Sequence, residues 1–147
     1  MKLLLPEAWM RRCLELAETA DQSGEAPVGA IIARGDDMVV EATEHVNASM
    51  DIGEHAELIA IRQACRALGT LDLSGCTLYT NVEPCWMCSF AIRQSGISEV
   101  VIGEAVPDIG GATSRYPILS DPDIPGWRPP PNIIWLEMEY RMLRNGS

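Results

Sequence analysis

The chain has 147 residues, of which 47% are hydrophobic, and this length and composition are typical of one domain with a substantial core. Its formal net charge is −10, with ten arginines and the single lysine Lys2 against 21 acidic residues. A surface this acidic repels polyanions. We therefore expect neither nucleic acid nor an anionic membrane as the main partner, although a local cluster of arginines would escape this argument.

The sequence also bears on the cellular compartment. No stretch approaches the roughly 18 consecutive apolar residues of a membrane-spanning helix. The apolar part of the start, MKLLLPEAWM, is shorter than the roughly 7–15-residue core of a secretion signal. Five cysteines are an odd number, which fits poorly with a framework of disulfides. We expect a cytoplasmic protein with reduced thiols and no membrane partner.

The first half of the chain predicts a helix, a hairpin and a second helix. Residues 6–22 begin with a proline and an acid and place apolar residues at helical spacing, which predicts an amphipathic helix. Residues 28–34 and 38–46 are predicted strands, and the short turn between them indicates an antiparallel hairpin. After a turn at MDIGE, residues 55–69 are predicted to form a helix that ends at a glycine.

The next elements alternate between strand and helix. Residues 75–82 are a predicted strand, residues 85–96 a helix of about three turns that ends at a glycine, and residues 97–104 another strand. The predicted order is α-β-β-α-β-α-β. Because a helix joins the last two strands, we expect them to be parallel. The pattern therefore predicts a mixed sheet with helices on its faces.

The C-terminal part changes in composition. Seven of the ten prolines lie in residues 104–132, a segment that resists regular structure and is longer than most connections. It is a candidate wall of an active site or a subunit contact, or else a wrapping segment without a chemical role. For residues 133–147 we predict a strand that turns into a helix.

Two short motifs stand at the starts of predicted helices: HAE at 55–57 and PCWMC at 84–88. His55, Cys85 and Cys88 offer one imidazole and two thiolates, which suit zinc, and three protein ligands leave a fourth tetrahedral position open, as in catalytic zinc sites. Glu57 can then take a proton from water at that position. Taken singly, HAE is typical of a surface pair, and CxxC is compatible with a redox pair, a metal site or neither, so the zinc hypothesis depends on the combination.

HAE followed by PCxxC resembles the signature of the cytidine/deoxycytidylate deaminase superfamily of zinc hydrolases, in the branch that contains guanine, cytosine and tRNA adenosine deaminases. The similarity extends to PVGAIIA at 27–33 and to NVEPCWMCSFAIRQSGISEVVIGE at 81–104, and covers roughly residues 5–115. It implies a three-layer α/β/α fold around a mixed five-stranded sheet, in a single domain spanning residues 1–147.

The resemblance also implies the chemistry. One zinc ion per chain would be bound by His55, Cys85 and Cys88. Glu57 would carry a proton from water to the ring nitrogen and then to the leaving amine, so that an exocyclic amine is replaced by a keto group and ammonia is released. Members of the family assemble through the helices that carry the zinc ligands, so we expect a homodimer.

Several residues are candidates for binding the substrate. Asn47 matches an asparagine that binds the base in the family, or is a turn residue. The backbone of Gly29 and Ala30 would approach the base, since small side chains permit close contact; an ordinary strand start is the alternative. The further candidates are Glu83, which orients the substrate or caps a helix; Trp86, which stacks on a base or packs; and Asp108, in a specificity wall.

Four other residues have simpler interpretations. His45, on the second predicted strand, is expected to be a pocket wall or a packed side chain rather than a fourth ligand. Cys13, Cys65 and Cys76 lie on apolar faces of helices or at a strand start, and we interpret them as core thiols.

The substrate is the open point. In the last twenty residues, Arg128, Arg141 and Arg144 stand against Glu137 and Glu139, without the basic excess with which the RNA-editing relatives hold tRNA. Since neutralised phosphates drive nucleic-acid affinity, we expect a free base of guanine or cytosine type, or a related amino-heterocycle. The alternatives are a tRNA-specific adenosine deaminase that forms inosine at the wobble position, an inactive zinc-stabilised binding module, and a CxxC redox protein.

Overall fold

The computed structural model describes residues 5–138. In chain order its helices and strands are α1 (Leu5–Gln22), β1 (Gly29–Arg34), β2 (Asp37–Thr43), α2 (Val46–Ser49), α3 (Ala56–Leu68), β3 (Cys76–Val82), α4 (Trp86–Ser95), β4 (Glu99–Glu104) and β5 (Asn132–Trp135). Every helix and strand predicted between residues 6 and 104 is present, and α2 is an addition.

The five strands form one mixed sheet in the order β2-β1-β3-β4-β5. Strands β1 and β2 form an antiparallel hairpin that pairs Gly29 with Thr43, and β1 is also antiparallel to β3. The pairs β3–β4 and β4–β5 are parallel. The predicted hairpin and the predicted parallel pair are therefore both confirmed.

Helices cover the sheet on both faces, because successive side chains of a strand point to opposite sides. On one face, Met10 and Cys13 of α1 pack on Ile31 of β1. On the other, Ala60 of α3 and Ile92 of α4 belong to a second core cluster. This arrangement confirms the predicted three-layer α/β/α fold with a mixed five-stranded sheet.

The chain between β2 and α3 differs from the prediction. β2 ends at Thr43, so His45 does not lie on a strand; it is exposed and directly precedes α2. The carboxylate of the buried Glu25, far away in sequence, accepts the backbone N–H groups of Asn47 at 2.8 Å and Ala48 at 2.7 Å. A tertiary contact thus satisfies the first N–H groups of this short helix, and no local pattern predicts it.

Glu83 anchors the first part of the proline-rich segment to the start of α4. Its buried carboxylate accepts the backbone N–H groups of Val106 at 2.8 Å and of Ala112 and Thr113 at 2.7 Å, and also the hydroxyl of Thr113. A Cβ at Gly110 would lie 2.0 Å from an oxygen of Glu83, so a glycine is required where the loop passes the carboxylate.

Arg93 anchors the second part to the other end of α4. Its guanidinium is buried and donates to the carbonyl oxygens of Ile118 at 2.8 Å, Asp121 at 2.7 Å and Arg128 at 2.6 Å. The ring of Trp127 lies against the same guanidinium, whose carbon is 5.2 Å from the centre of that ring. Residues 105–131 contain neither helix nor strand, as predicted, and two buried charges hold them around α4.

The remaining expectations concern the cysteines and the tail. All five cysteines are free; Cys13 and Cys76 are buried as predicted, and Cys65 is only partly buried. Strand β5 confirms the predicted strand of the tail, whereas the predicted helix after it falls largely in residues 139–147, outside the described residues. Among the described helices none combines the length and the apolar character needed to cross a membrane.

Candidate active site

The two motifs place one zinc-ligand candidate each at the N-caps of α3 and α4. His55 is the N-cap of α3 and Cys85 the N-cap of α4, and neither side chain makes a capping hydrogen bond. An N-cap side chain normally accepts a backbone N–H of the first turn. Here both side chains are left available for each other, and the positive ends of two helix dipoles favour negative charge between them.

The predicted ligand atoms do converge. Nδ1 of His55 lies 3.5 Å from Sγ of Cys85 and 3.6 Å from Sγ of Cys88, and the three ligand atoms lie within 4.8 Å of one another. Zinc binds thiolate sulfur at about 2.3 Å and imidazole nitrogen at about 2.0–2.1 Å, so a tetrahedral angle places the two ligand atoms about 3.6 Å apart. The donor set and its spacing therefore both fit zinc.

The electrostatics of the cluster favour a thiolate. Hydrogen bonds with Cys88 and with His55 lower the pKa of Cys85 to about 4, although burial opposes the shift. The hydrogen bond with Cys85 raises the pKa of His55 to about 9, and the same partner together with burial raises the pKa of Cys88. Negative charge thus collects on sulfur, and a divalent cation would take over from the protons as its counter-charge.

Glu57 lies in the first turn of α3, and only 3% of it is exposed. Burial raises the pKa of this carboxyl to about 8, and the negative charge of the nearby Glu44 contributes to the shift. A carboxyl whose pKa is close to neutrality both accepts and releases protons readily. Its position two residues after the histidine therefore matches the predicted role of proton carrier.

Glu44 is a second buried carboxyl beside the cluster, 7% exposed. Its Oε1 accepts the backbone N–H of Ala56, the first residue of α3, at 2.8 Å. Burial raises its pKa, and the neighbouring charges of His55 and Cys85 act on it with opposite signs. The carboxyl therefore caps α3 from outside the helix and lies within the electrostatic environment of the ligands.

The residues predicted to contact the base from β1 and α2 have protein partners. The side-chain amide of Asn47 is exposed and donates to the carbonyl of Gly24 at 2.9 Å. A Cβ at Gly29 would lie 2.4 Å from the carbonyl oxygen of Cys13, so the packing of α1 accounts for the glycine there. Ala30 is fully buried in the core. Contacts of Asn47, Gly29 and Ala30 with a base remain predictions.

Three further candidates lie on or beside the proline-rich segment. All four hydrogen bonds of the Glu83 side chain go to that segment, and this favours anchoring the loop over orienting a substrate. Asp108 is exposed in a turn of the same loop. Trp86 is 37% exposed, and its Nε1 donates to Ser114 Oγ at 3.2 Å and to the carbonyl of Tyr116 at 3.1 Å. Substrate contacts of all three remain predictions.

Trp86 packs against an exposed side chain of the proline-rich segment. Its ring meets the ring of Tyr116 edge to face, with centroids 5.9 Å apart, and the guanidinium of Arg115 lies 5.8 Å from the centre of the Tyr116 ring. Tyr116 is 55% exposed. We call these three residues the aromatic step; it begins at the residue that follows the zinc-ligand candidate Cys85.

Four residues that shape the site escaped the sequence analysis: Glu25, Glu44, Asn81 and Arg93. The buried Asn81, for example, accepts the backbone N–H of Gly29 at 2.8 Å and donates to the carbonyl of Pro27 at 3.0 Å. All four bond to parts of the chain distant in sequence. Their only sequence signal is a polar residue within or beside a predicted helix or strand, which is typical of solvated positions as well.

Comparison with known proteins agrees with this geometry. Residues 5–104 match the family model described as the cytidine and deoxycytidylate deaminase zinc-binding region, which is more than half of the chain. The chain belongs to this deaminase family. It is accordingly a zinc-dependent deaminase, and His55, Cys85 and Cys88 are the residues whose donor atoms fit zinc.

Two curated relatives carry the same name, tRNA-specific adenosine deaminase. The chain is 39% identical to a tRNA-specific adenosine deaminase of Aquifex aeolicus over 80% of its own length and 78% of the relative's. It is 36% identical to the tRNA-specific adenosine deaminase of Bacillus subtilis over 78% of its own length and 71% of the relative's.

Two solved structures also match. A structure from a study of A-to-I editing by tRNA:A34 deaminases has a TM-score of 0.82 and 29% identity, covering 88% of this chain and 91% of that one. The guanine deaminase of Bacillus subtilis has a TM-score of 0.67 and 28% identity, covering 96% of this chain and 94% of that one.

These relatives correct one expectation. We expected no nucleic-acid partner because of the net charge of −10, but curated deaminases that match most of the chain are named for acting on tRNA. The expectation was wrong because net charge sums over the whole surface, whereas affinity for nucleic acid depends on which charged groups meet the phosphates.

Proposed function

We propose that this protein hydrolytically deaminates adenosine in tRNA to inosine. The observation that carries the proposal is the match to tRNA-specific adenosine deaminases over more than two thirds of both chains. It is supported by a complete candidate centre: three ligand atoms at zinc spacing and a buried carboxyl two residues from the histidine.

The residues of the site have separate tasks in this reaction. His55, Cys85 and Cys88 would hold zinc, which when bound polarises water and lowers its pKa to about 7. Glu57 takes one proton from water and delivers it to the ring nitrogen, and it then carries the second proton of that water from the new hydroxyl group to the departing amine, which leaves as ammonia. Because Glu57 is buried in the first turn of α3, its carboxyl is held in place and shielded from bulk water.

The aromatic step is a candidate contact for the RNA. Unpaired bases stack on aromatic side chains and on arginine guanidinium planes. The aromatic step offers these surfaces with Trp86, Tyr116 and Arg115, beginning at the residue after Cys85. The two hydrogen bonds of Trp86 Nε1 fix the orientation of its ring. We propose that a nucleotide next to the target adenosine lies against this step.

Deamination of a free base of guanine type is the second candidate. It is supported by the likeness to the Bacillus subtilis guanine deaminase over nearly the whole chain, and by the carboxyl of Glu44, which suits a base that presents an N–H group. The two candidates share the zinc centre and Glu57 and differ in the shape and polarity of the base.

We also propose that two copies assemble through α3 and α4. Between these helices lies a groove of about 610 Å³ with mainly apolar walls, and Met87 and Phe90 are partly exposed in it. The exposed Leu71, at 83%, lies at its edge. Replacing Met87 by lysine would place a charge in this face, and analytical ultracentrifugation should then show monomer where the original protein shows dimer.

One experiment separates the candidates. Zinc-loaded protein is incubated with a tRNA whose anticodon begins with adenosine, with the same tRNA carrying guanosine there, and with free guanine, cytosine and adenine, and inosine and ammonia are measured. The Glu57→Gln variant should lose turnover but retain zinc, and Glu54→Gln is the matched control, a partly buried carboxylate paired with the exposed Arg62. Absence of inosine from the tRNA under all conditions would contradict the proposed function.

A further inference from the structure

A cavity of about 310 Å³ lies beside the carboxyl ends of β4 and β5. Its walls come from the end of β4, the proline-rich segment and the chain that leaves β5, and they include Glu104, Ala105, Thr113, Trp135 and Glu137. The three zinc-ligand candidates do not line it. We call this space the acidic cavity. Its volume falls at the lower end of the roughly 300–1,000 Å³ that are typical of sites for small molecules.

The sheet brings an aromatic and an acidic side chain together at this cavity. Trp135 of β5 is paired with Ile102 of β4. Because side chains alternate along a strand, Glu104 lies on the same face of β4 as Ile102, two residues further on. Trp135 is 43% exposed, and among residues 5–138 its ring has no aromatic or cationic partner. The indole is therefore available to a ligand that also contacts Glu104.

The two carboxylates of the cavity, those of Glu104 and Glu137, are both exposed. Within the described part of the chain, neither carboxylate takes part in a hydrogen bond or an ion pair. Two negative charges that line the same cavity repel each other. A cation that enters the cavity would remove this repulsion and form charge-assisted hydrogen bonds with both groups.

We infer that the acidic cavity binds a small organic cation that carries a guanidinium group. A guanidinium is planar, has only N–H donors, pairs with carboxylates and stacks on aromatic rings, which matches two carboxylates beside an indole. Tryptophan is also the side chain that attracts cations most strongly. The phosphates of a nucleic acid would be repelled by Glu104 and Glu137. The inference concerns a site outside the zinc centre and does not rest on the proposed function.

Two walls of the acidic cavity connect it to the start of α4. The backbone N–H of Glu83 donates to the carbonyl of Glu104 at 2.8 Å, and the backbone and hydroxyl of Thr113 donate to the carboxylate of Glu83. In the loop between these walls, the N–H of Gly111 donates to the carbonyl of Pro84 in the PCWMC motif at 2.8 Å. A ligand that contacts both walls would hold this loop against the motif.

The test is a titration of zinc-loaded protein with ethylguanidinium, followed by NMR at each backbone and indole N–H. Ethylurea is the matched ligand, because it has nearly the same size and shape but no charge. We expect ethylguanidinium to shift the indole N–H of Trp135 and the amides of Ala105 and Thr113 until they saturate, and ethylurea to bind at least about tenfold more weakly. Absence of these shifts, or equal affinities of the two ligands, would overturn the inference.

Two variants test the carboxylates. Glu104→Gln and Glu137→Gln each remove one charge and keep the shape of the side chain, so each should weaken the binding of ethylguanidinium about tenfold. The control Glu99→Gln is the same change at the other end of β4 and should leave binding unchanged. A cation that is attracted only by the net charge of −10 would respond equally to all three variants, and this outcome also overturns the inference.

Two further measurements decide what the cavity recognises and whether its ligand holds the loop. Binding of ethylguanidinium should slow hydrogen exchange at Gly111 and Thr113, and unchanged exchange would overturn the link to the loop. Free cytosine and adenine are titrated in the same way. If they shift the resonance of Trp135 and ethylguanidinium does not, the cavity binds a base and the inference is wrong. Inosine in tRNA is scored separately, so failure of the proposed function is recognised independently.

Discussion

Replacing Glu83 by glutamine tests whether a buried carboxylate holds the loop beside the zinc ligands. Glu83 accepts four hydrogen bonds, from the backbone of Val106 and Ala112 and from the backbone and hydroxyl of Thr113. Glutamine has nearly the same shape but only one acceptor oxygen, and its NH₂ group must face N–H donors. The loop should therefore detach more often.

The magnitude follows from the bonds that are lost. Each hydrogen bond to a charged group contributes about 1.5–3 kcal/mol, and the substitution removes the acceptor of two of them. The loop relaxes when it is no longer held, so we expect the lower end of the sum, about 3 kcal/mol. Amide hydrogen exchange at Val106, Ala112 and Thr113 should then accelerate about a hundredfold.

The measurement is hydrogen exchange of zinc-loaded protein, residue by residue, together with urea unfolding. Glu54→Gln is the control, because it removes a carboxylate of the same charge from the exposed pair with Arg62, where about 0–1 kcal/mol is expected. If exchange in the loop were as slow in Glu83→Gln as in Glu54→Gln, the carboxylate would not anchor the segment and the reasoning would be refuted.

Three further predictions concern stability. Arg93→Met removes the donor of three backbone carbonyl groups and should lower the free energy of unfolding by about 3 kcal/mol. The control Arg62→Met breaks an exposed ion pair and should cost less than about 1 kcal/mol. Equal losses of the two variants in urea unfolding would contradict this prediction. Gly29→Ala places a Cβ 2.4 Å from the Cys13 carbonyl oxygen and should cost about 1–3 kcal/mol, seen as a lower Tm; an unchanged Tm would mean that α1 packs less closely. Burial acts to raise the pKa of Glu83, but its hydrogen bonds outweigh burial and hold this pKa below the usual value. The contribution of Glu83 to the free energy of unfolding is therefore complete above the unfolded pKa of about 4.3 and is lost as pH falls through the folded pKa. Glu83→Gln should accordingly lose less stability than the original protein as the solution is made acidic, and an identical loss in both proteins would contradict the assignment.

The sequence by itself determined the elements, the zinc motif and the family. Hydrophobic periodicity and glycine stops located α1, α3 and α4 and strands β1 to β4, because each is a local property of consecutive residues. The HAE and PCxxC motifs identified the ligand candidates, because in each case a helix start holds the residues together. The deaminase chemistry followed from the family resemblance that the two motifs carry together.

Only the tertiary structure decided how the remainder of the site is built. Glu25, Glu44, Glu83 and Arg93 act on backbone groups 12 to 35 residues away in the chain, and no window of sequence contains both partners. The expectation drawn from net charge failed for the same reason, since a sum over the chain says nothing about which groups the fold brings beside the three zinc-ligand candidates. Local pattern determines elements and motifs, whereas buried polar groups find their partners only when the chain is folded.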